Sequence, residues 1–599
     1  MIMSTPQTFF ADQIQEQIQS VLNKIMPGWN GNWTVNPPAR VDHGDYSTNL
    51  AMVLFKDRKT LTGKFSEQIS QLQTPFELAE YFAQNFLSES ITTRYRVEIL
   101  KPGFINFYFK PEFLKIGVEK LLSGEVSLIE PAPKAQKAVV EYSSPNIAKP
   151  FTVGHLRSTI IGDAVANLLE ATGWTVYRDN HLGDWGTQFG KQITAILKYG
   201  SEEQIAKSPR PVKELVELYV KFHKEAEAHP ELEVEARLWF KKLEDGDPEA
   251  RRLWLQCIEW SLKEFAQIYQ RLGVKFTEND GKGYGESFFE KMMTEVIEEL
   301  TQKGLLKESQ GAKVIFFPDD QLPPLMVVKQ DGATLYATRD LATDHWRLEH
   351  YGDDIVVINE VGAEQTEYFR QLYLTEQLLN WYKPGQRVHV KHGLYRFKDQ
   401  KMSTRKGNVI WLEDVLSQAV TRAHNVSDTK QISAQTAEIV GIGALKWNDL
   451  KRSSHLDVVF DWDEILSMEG NSGPYLQYSY ARGRSLLRKA EEKGLKYGKS
   501  NEKLSLDQLQ PADWQVIRQI LLFNETVHRA AKEYAPHHLS TYLYELAQAF
   551  NTWYSSQPIL QTESDKKAVT AFRLQIVDVT TQVLKKGLNI LGIQAPEQM

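Results

Sequence analysis

At 599 residues, with 42% hydrophobic and 25% charged residues, the chain has the composition of a soluble globular protein and is too long for a single core, so about three to four domains are expected. Its net charge of −7 carries no sign of a nucleic-acid partner, which ordinarily shows as a basic surface. The single cysteine, Cys257, excludes a disulfide framework and a Cys-rich zinc site, while the lack of a long apolar run or a leader-like N-terminus predicts a cytoplasmic protein that meets no membrane.

Residues 1–120 read as an α+β domain. Phe9–Ile25 has amphipathic helical spacing, Val41–Asn49 (VDHGDYSTN) is turn-like, and the alternation in Ile105–Phe109 predicts a strand. Glu130–Lys137 (EPAPKAQK) reads as a linker. A β-α-β unit follows. Ala138–Tyr142 suits a buried parallel strand, Leu156, Ile160, Ala164 and Leu168 recur along one face of a helix over Gly154–Thr172, and Trp174–Tyr177 predicts the next strand. This is how a doubly wound, Rossmann-type domain opens, and it makes the chain a multidomain α/β protein with that domain over residues 121–460. From Glu202 to Leu272 the pattern is helical and charged, an insertion over about 200–272 in which Trp254, Cys257 and Trp260 form a buried face. Strand-like runs return at Val314–Phe317, Leu325–Val328 and Ile355–Ile358, a connecting segment covers about 411–460, and 461–599 reads as an all-α domain.

The loop Ser143–Thr152 joins the first strand of this unit to its helix, a position that faces the ligand crevice of a doubly wound fold. A helix N-terminus there offers free N–H groups to phosphate, Gly154 allows close backbone approach, and His155 can donate a hydrogen bond to a phosphate oxygen. An isolated Gly-His pair is ordinarily only a helix start, and neither GxxxxGK[ST] nor GxGxxG occurs at this loop.

The larger block SSPNIAKPFTVGHLRST is more specific, because it resembles the HIGH signature of class I aminoacyl-tRNA synthetases in its arginyl form. His181–Gly190 (HLGDWGTQFG) resembles a second block of that family, and Lys401–Asn408 (KMSTRKGN) resembles its KMSKS loop. DHGDYSTN near the start, NSGPYLQYSYAR and the closing GLNILGIQAPEQM extend the resemblance over the whole chain. It implies an N-terminal domain that touches the corner of the tRNA, a catalytic domain, and a C-terminal domain, 461–599, that holds the anticodon loop. It also implies an ATP-dependent ligase, working with Mg²⁺, that makes arginyl-adenylate and transfers arginine to the 3′-terminal ribose of tRNA. A monomer is the expected state, and the resemblance further suggests that activation waits on bound tRNA.

By the same resemblance His155, Lys149, Thr152, Lys401, Arg405 and Lys406 carry the chemistry on phosphate, and Gly154, Met402, Ser403 and Thr404 bind ATP. The pattern departs from the family at Thr152, where HIGH has its first histidine, and at Thr404, where KMSKS has its second lysine. Charge stabilisation dominates phosphoryl transfer, so Lys149, just upstream of the signature, is expected to supply the missing cation.

A guanidinium substrate calls for carboxylates in planar, bidentate geometry. The family's arginine pocket falls on Glu141, Glu286, Tyr336 and Asp340, with Asn146 and Gln365 on the substrate's amino and carboxyl groups. For tRNA, Asn106 and Phe107 in GFINF offer stacking and an edge contact, while Tyr475, Tyr478, Tyr480, Arg482 and Arg484 interleave aromatics with cations, and Met599 is a further candidate. Glutamyl, glutaminyl and class I lysyl enzymes are the nearest other specificities. A paralogue that binds tRNA without activating an amino acid is the alternative raised by Thr152 and Thr404.

Overall fold

The structure, a computed structural model, describes residues 10–38, 40–132, 135–330, 334–397, 410–425, 432–495 and 504–599. Helix α1 (Phe10–Ile25) buries Ile14, Ile18, Leu22 and Ile25, the face its spacing predicts. It packs on an antiparallel sheet of order β1–β2–β4–β3, formed by β1 (Val35–Asn36), β2 (Tyr46–Thr48), β3 (Tyr95–Leu100) and β4 (Phe104–Phe109). The turn-like VDHGDYSTN segment ties this domain together and to the end of the chain. Asp45 Oδ2 accepts the Phe109 N–H at 2.7 Å, Asp45 lies 3.5 Å from Arg518, and the Tyr46 hydroxyl donates to Glu525 at 2.8 Å.

The placement of β4 corrects one expectation. Ile105, Phe107 and Phe109 share the inward face, and Phe107 is fully buried beside Tyr95, so its ring cannot meet a base. Asn106, opposite Ser47 in register, is also buried and its side-chain oxygen accepts the Ser47 hydroxyl at 2.6 Å. Phe104 is the ring of this strand that stands exposed.

The central domain begins with β5 (Lys137–Glu141), α2 (Gly154–Ala171) and β6 (Thr175–Asp179). Gly162 lets α2 lie close on the strand end, since a Cβ there would sit 2.1 Å from Tyr142 Cβ. Four helices then fill residues 202–272, the last being α3 (Pro248–Leu272), which buries Trp254, Cys257 and Trp260 as the spacing predicts. A small antiparallel sheet follows, of β7 (Leu306–Ser309), β8 (Ala312–Ile315) and β9 (Leu325–Val328). The β8 strand starts two residues earlier than Val314 because Gln310 and Gly311, at φ 50° and 80°, close a two-residue hairpin with β7.

Helix α4 (Tyr336–Tyr351), β10 (Val356–Gly362), α5 (Thr366–Leu378) and β11 (Arg387–His392) complete the main sheet, whose order is β11–β10–β5–β6 with every pair parallel. The chain leaves β5 first towards β6 and later returns on its other side as β10. That reversal opens a crevice at the carboxyl ends of β5 and β10.

Short β12 (Tyr395–Phe397) and β13 (Val458–Phe460) pair beside α6 (Ala434–Leu450). Beyond residue 460 the described residues form helices and loops, with α7 (Gly473–Glu492) and α8 (Lys567–Ile590) the longest near the chain's end besides Pro536–Ser556. Buried ions join α2, α6 and the chain's last residues. Arg157 of α2 binds Asp449 of α6 at 3.0 Å, and Lys446 of α6 donates to the Gly592 carbonyl at 2.8 Å. Among the described residues no helix is long and apolar enough to cross a membrane.

Candidate active site

The β5–α2 loop is held in a conformation that ordinary residues avoid. Ser143, Ser144 and Ala148 take φ values of 72°, 44° and 57°. Left-handed non-glycine residues persist where the surroundings over-determine them, and here each is fixed through its backbone N–H. Ser143 donates to Ser158 Oγ at 2.9 Å, Ser144 to Asn180 Oδ1 at 3.1 Å and Ala148 to Ser261 Oγ at 3.0 Å. Asn146 pairs with Gly183, so the two signature blocks, far apart in sequence, form one wall.

At the start of α2, the Thr152 N–H donates to His155 Nδ1 at 3.1 Å. That bond fixes the tautomer, since Nδ1 must be bare and the ring proton sits on Nε2. Burial pushes the imidazolium's pKa down to about 4, so the ring is neutral near pH 7 and acts as a hydrogen-bond donor, not a cation. Gly154 is exposed in the first turn, where helix N–H groups lack partners. Lys149 is half-buried; burial lowers its ammonium's pKa and Glu286 partly opposes that. Thr152 itself is nearly covered and bridges to Trp411.

Lys401, Met402, Ser403, Thr404, Arg405 and Lys406 lie outside the described residues. The chain just after them is described, and it pairs with the signature loop. Val153 N–H donates to the Ile410 carbonyl at 3.1 Å and Leu412 N–H to the Phe151 carbonyl at 3.0 Å. Ile410 and Leu412, which follow that segment, are thus paired with the loop that carries Thr152 and His155.

Beside this loop lies a cavity of about 280 Å³, and Glu141, Asn146, Glu286, Tyr336, Asp340 and Gln365 all line it. The sequence scatters these residues over five elements and loops; the sheet reversal gathers them. Tyr336 and Asp340 occupy successive turns of α4, as their spacing predicts. His181, which opens the second signature block, also lines the cavity, as do Asp344, Arg347, Asn359 and Tyr368, which no sequence motif marks. Glu141 reaches it already paired, 2.6 Å from Arg347 Nη2, and Glu286 is paired with Arg339 at 3.1 Å. Among the described residues Asp340 pairs with no guanidinium; the Tyr368 hydroxyl donates to it.

The lining is electrostatically unbalanced. Glu141, Glu286, Asp340 and Asp344 set four carboxylates against one guanidinium, Arg347, and one imidazole, His181. Burial pushes the Asp340 carboxyl up to about 6, with His181 and the Tyr368 hydroxyl opposing. For His181 burial alone lowers the pKa, but Glu141, Asp340 and Glu286 outweigh it and the net shift is upward. Its Nδ1–H donates to the Tyr284 carbonyl at 3.1 Å. A narrow, apolar-backed cleft with surplus carboxylate suits a planar cation.

On α7, Tyr475, Tyr478 and Arg482 form one half-buried cluster. The Arg482 guanidinium lies over the rings of Tyr478 and Tyr554, 4.7 and 5.2 Å from their centroids, and donates to Asn551 at 2.7 Å. Tyr480 is buried and donates to Glu597, which also binds Arg484 at 2.9 Å. Met599 is part-buried against the main hydrophobic core.

The chain matches three family models in order: the arginyl-tRNA synthetase N-terminal domain over 12–109, the class I (R) tRNA synthetase catalytic domain over 117–462, and the DALR anticodon-binding domain over 476–599. It is 38% identical over 600 residues to the arginine–tRNA ligase of Clostridium perfringens, covering 98% of this chain and 99% of that one. The fold matches the arginyl-tRNA synthetase of Plasmodium falciparum, with a TM-score of 0.79, 24% identity and full coverage of both chains. It also matches that of Thermus thermophilus, with a TM-score of 0.78, 22% identity and coverage of 99% of this chain and 100% of that one. With the signature loop, the acidic cleft and three domains in family order, the chain belongs to the arginyl-tRNA synthetases.

Proposed function

We propose that the acidic cleft is the arginine site and that the β5–α2 loop beside it holds MgATP for arginine activation. The surplus of carboxylate over cation in the cleft wall carries this reading, because it leaves positive charge to be supplied by a ligand. Asp340, Tyr336 and Glu141 receive the guanidinium, while Asn146 and Gln365 face the amino and carboxyl end. Glu286, paired with Arg339, shapes the mouth of the cleft.

Arginine's carboxylate then attacks the α-phosphorus of MgATP, the bond to the bridging oxygen breaks, and pyrophosphate leaves. A terminal ribose hydroxyl of tRNA attacks the carbonyl of arginyl-adenylate and AMP leaves. Neither step needs a protein nucleophile; positioning and charge stabilisation carry the rate. Gly154 and the neutral His155 Nε2–H serve phosphate oxygens. Lys149, with Lys401, Arg405 and Lys406 of the KMSTRKGN segment, supplies the positive charge that Thr152 and Thr404 do not. Met402 and Ser403 flank the nucleotide in this arrangement. Lys149→Ala is expected to slow tRNA-dependent ATP–pyrophosphate exchange by about 10²-fold, the scale of one lost electrostatic contact in a transition state. A rate within about threefold of wild type would remove Lys149 from the reaction.

Segments 1–120, 121–460 and 461–599 divide the work into tRNA corner, chemistry and anticodon loop. With Phe107 inside the core, the exposed Phe104 is the ring left to stack on a base. Tyr475, Tyr478, Arg482 and Met599 form the anticodon-side surface. We read the protein as a cytoplasmic monomer, in keeping with its one buried cysteine. The deciding experiment is charging of unfractionated tRNA with each of the 20 labelled amino acids in Mg-ATP. Arginine alone is expected to become acid-precipitable; glutamate, glutamine or lysine charging would overturn the cleft assignment.

A further inference from the structure

We infer that Arg347 is a positioning residue of the arginine cleft, an internal guanidinium that holds the acids at the ends of β5 and β6 in place beneath the substrate. This rests on the cleft being the arginine site.

Arg347 is 1% exposed and its fork spans three elements. Nη2 lies 2.6 Å from Glu141 Oε2 at the end of β5 and 2.7 Å from Asp179 Oδ2 at the end of β6. Nη1 lies 3.2 Å from Asp344 on its own helix. Residues 336, 340, 344 and 347 follow one another along a single face of α4, so the helix that presents Tyr336 and Asp340 is the one that Arg347 anchors to the sheet. The Glu141 carboxylate is turned by this anchor and by a hydrogen bond from the Asn359 side chain. Only a planar fork reaches two strand ends and a helix at once, which a lysine ammonium cannot reproduce.

The charges packed round it make the anchor necessary. His181, Asp340 and Asp344 face it from the cleft side, the last held also by Arg387 of β11 at 2.6 Å, and Arg387 in turn by Glu376 of α5 at 2.8 Å. Tyr351, whose hydroxyl donates to Glu278, closes one side, and Tyr382, whose hydroxyl donates to the Asp344 carbonyl, closes another. Without Arg347, Glu141, Asp179 and Asp344 would stand together in a buried site with Arg387 as the remaining guanidinium. Like charges so placed take up protons, and the cleft would lose negative charge at neutral pH.

The test compares wild type, Arg347→Met, Arg347→Lys and Asp340→Asn in tRNA-dependent ATP–pyrophosphate exchange from pH 6 to 9, with thermal melting and tRNA binding as fold controls. For Arg347→Met the arginine KM at pH 7 is expected to rise roughly tenfold or more while the ATP KM stays within about twofold. Part of that loss should return by pH 9 as the carboxylates ionise; taking ratios to wild type cancels the titration of free arginine. Arg347→Lys should fall between the two, with its acid limb shifted upward. If Arg347→Met melts below the assay temperature, the lysine variant decides alone. A KM ratio that does not change with pH, in the methionine variant or failing that in the lysine variant, overturns the inference. An unchanged arginine KM in Asp340→Asn would instead overturn the cleft assignment itself.

Discussion

Replacing Asp340 with asparagine is expected to raise the arginine KM about 100-fold, within the roughly 2–5 kcal/mol that truncating one partner of a buried charged pair removes. The ATP KM should hardly move, because Asp340 sits on α4 while the phosphates are assigned to the start of α2. Asp340 carries the charge imbalance: Glu141 and Glu286 have their guanidiniums, and Asp340 has the Tyr368 hydroxyl. The asparagine keeps the size and the hydrogen bond and removes the charge. The pH profile gives an independent reading. The carboxyl's pKa is raised to about 6 in the free protein, and a bound guanidinium would lower it again. Arginine affinity should therefore be full above pH 6 and fall as pH drops through it, approaching tenfold per pH unit. Asp340→Asn should lack that limb. Steady-state kinetics in arginine between pH 5 and 8 checks both, and a variant that keeps the wild-type acid limb would assign the titration to another group.

The second large effect is expected at His155. His155→Ala should lower the rate of arginyl-adenylate formation by about 10²–10³-fold, the range for a single lost donor to a developing charge, without raising the arginine KM. Since the ring is already neutral and its Nδ1 is occupied by the Thr152 N–H, only the Nε2–H is available to phosphate. His155→Gln, whose amide nitrogen reaches about as far as Nε2, should recover more than His155→Asn, whose amide sits nearer the position of Nδ1. Single-turnover formation of the adenylate separates these variants, and equal rates for the two amides would point to a role for the cation instead.

Much of the architecture was legible because local signals agreed with the tertiary result. The i+4 apolar rows of α1 and α2 and the short apolar run before α2 became a buried helix face, a signature helix and a central strand. All six residues expected at the arginine site line one cavity, though the residues alone could not have gathered them; their matching to a family motif did. What stayed hidden depends on long-range pairing. Arg347 looks like any helical arginine until β5 and β6 bring Glu141 and Asp179 to it, and His181 and Tyr368 likewise gain meaning only across the cleft. Phe107 failed in the other direction. An aromatic in an alternating strand can face either way, and the inward row of Ile105, Phe107 and Phe109 takes it into the core. The hairpin at Gln310–Gly311 moved β8 because a two-residue turn, more than apolar content, sets the register there.

The contact between the first and last domains has a mechanical consequence. Asp45 reaches Arg518 and Tyr46 reaches Glu525, and in the linker that follows the first domain the Glu130 N–H donates to Asn524 at 2.9 Å. The N-terminal and anticodon-binding domains are thus the jaws of one caliper and not beads on a string. A partner that reaches both would meet the second as an intramolecular event, at an effective concentration set by the brace between them, which a flexible linker could not supply.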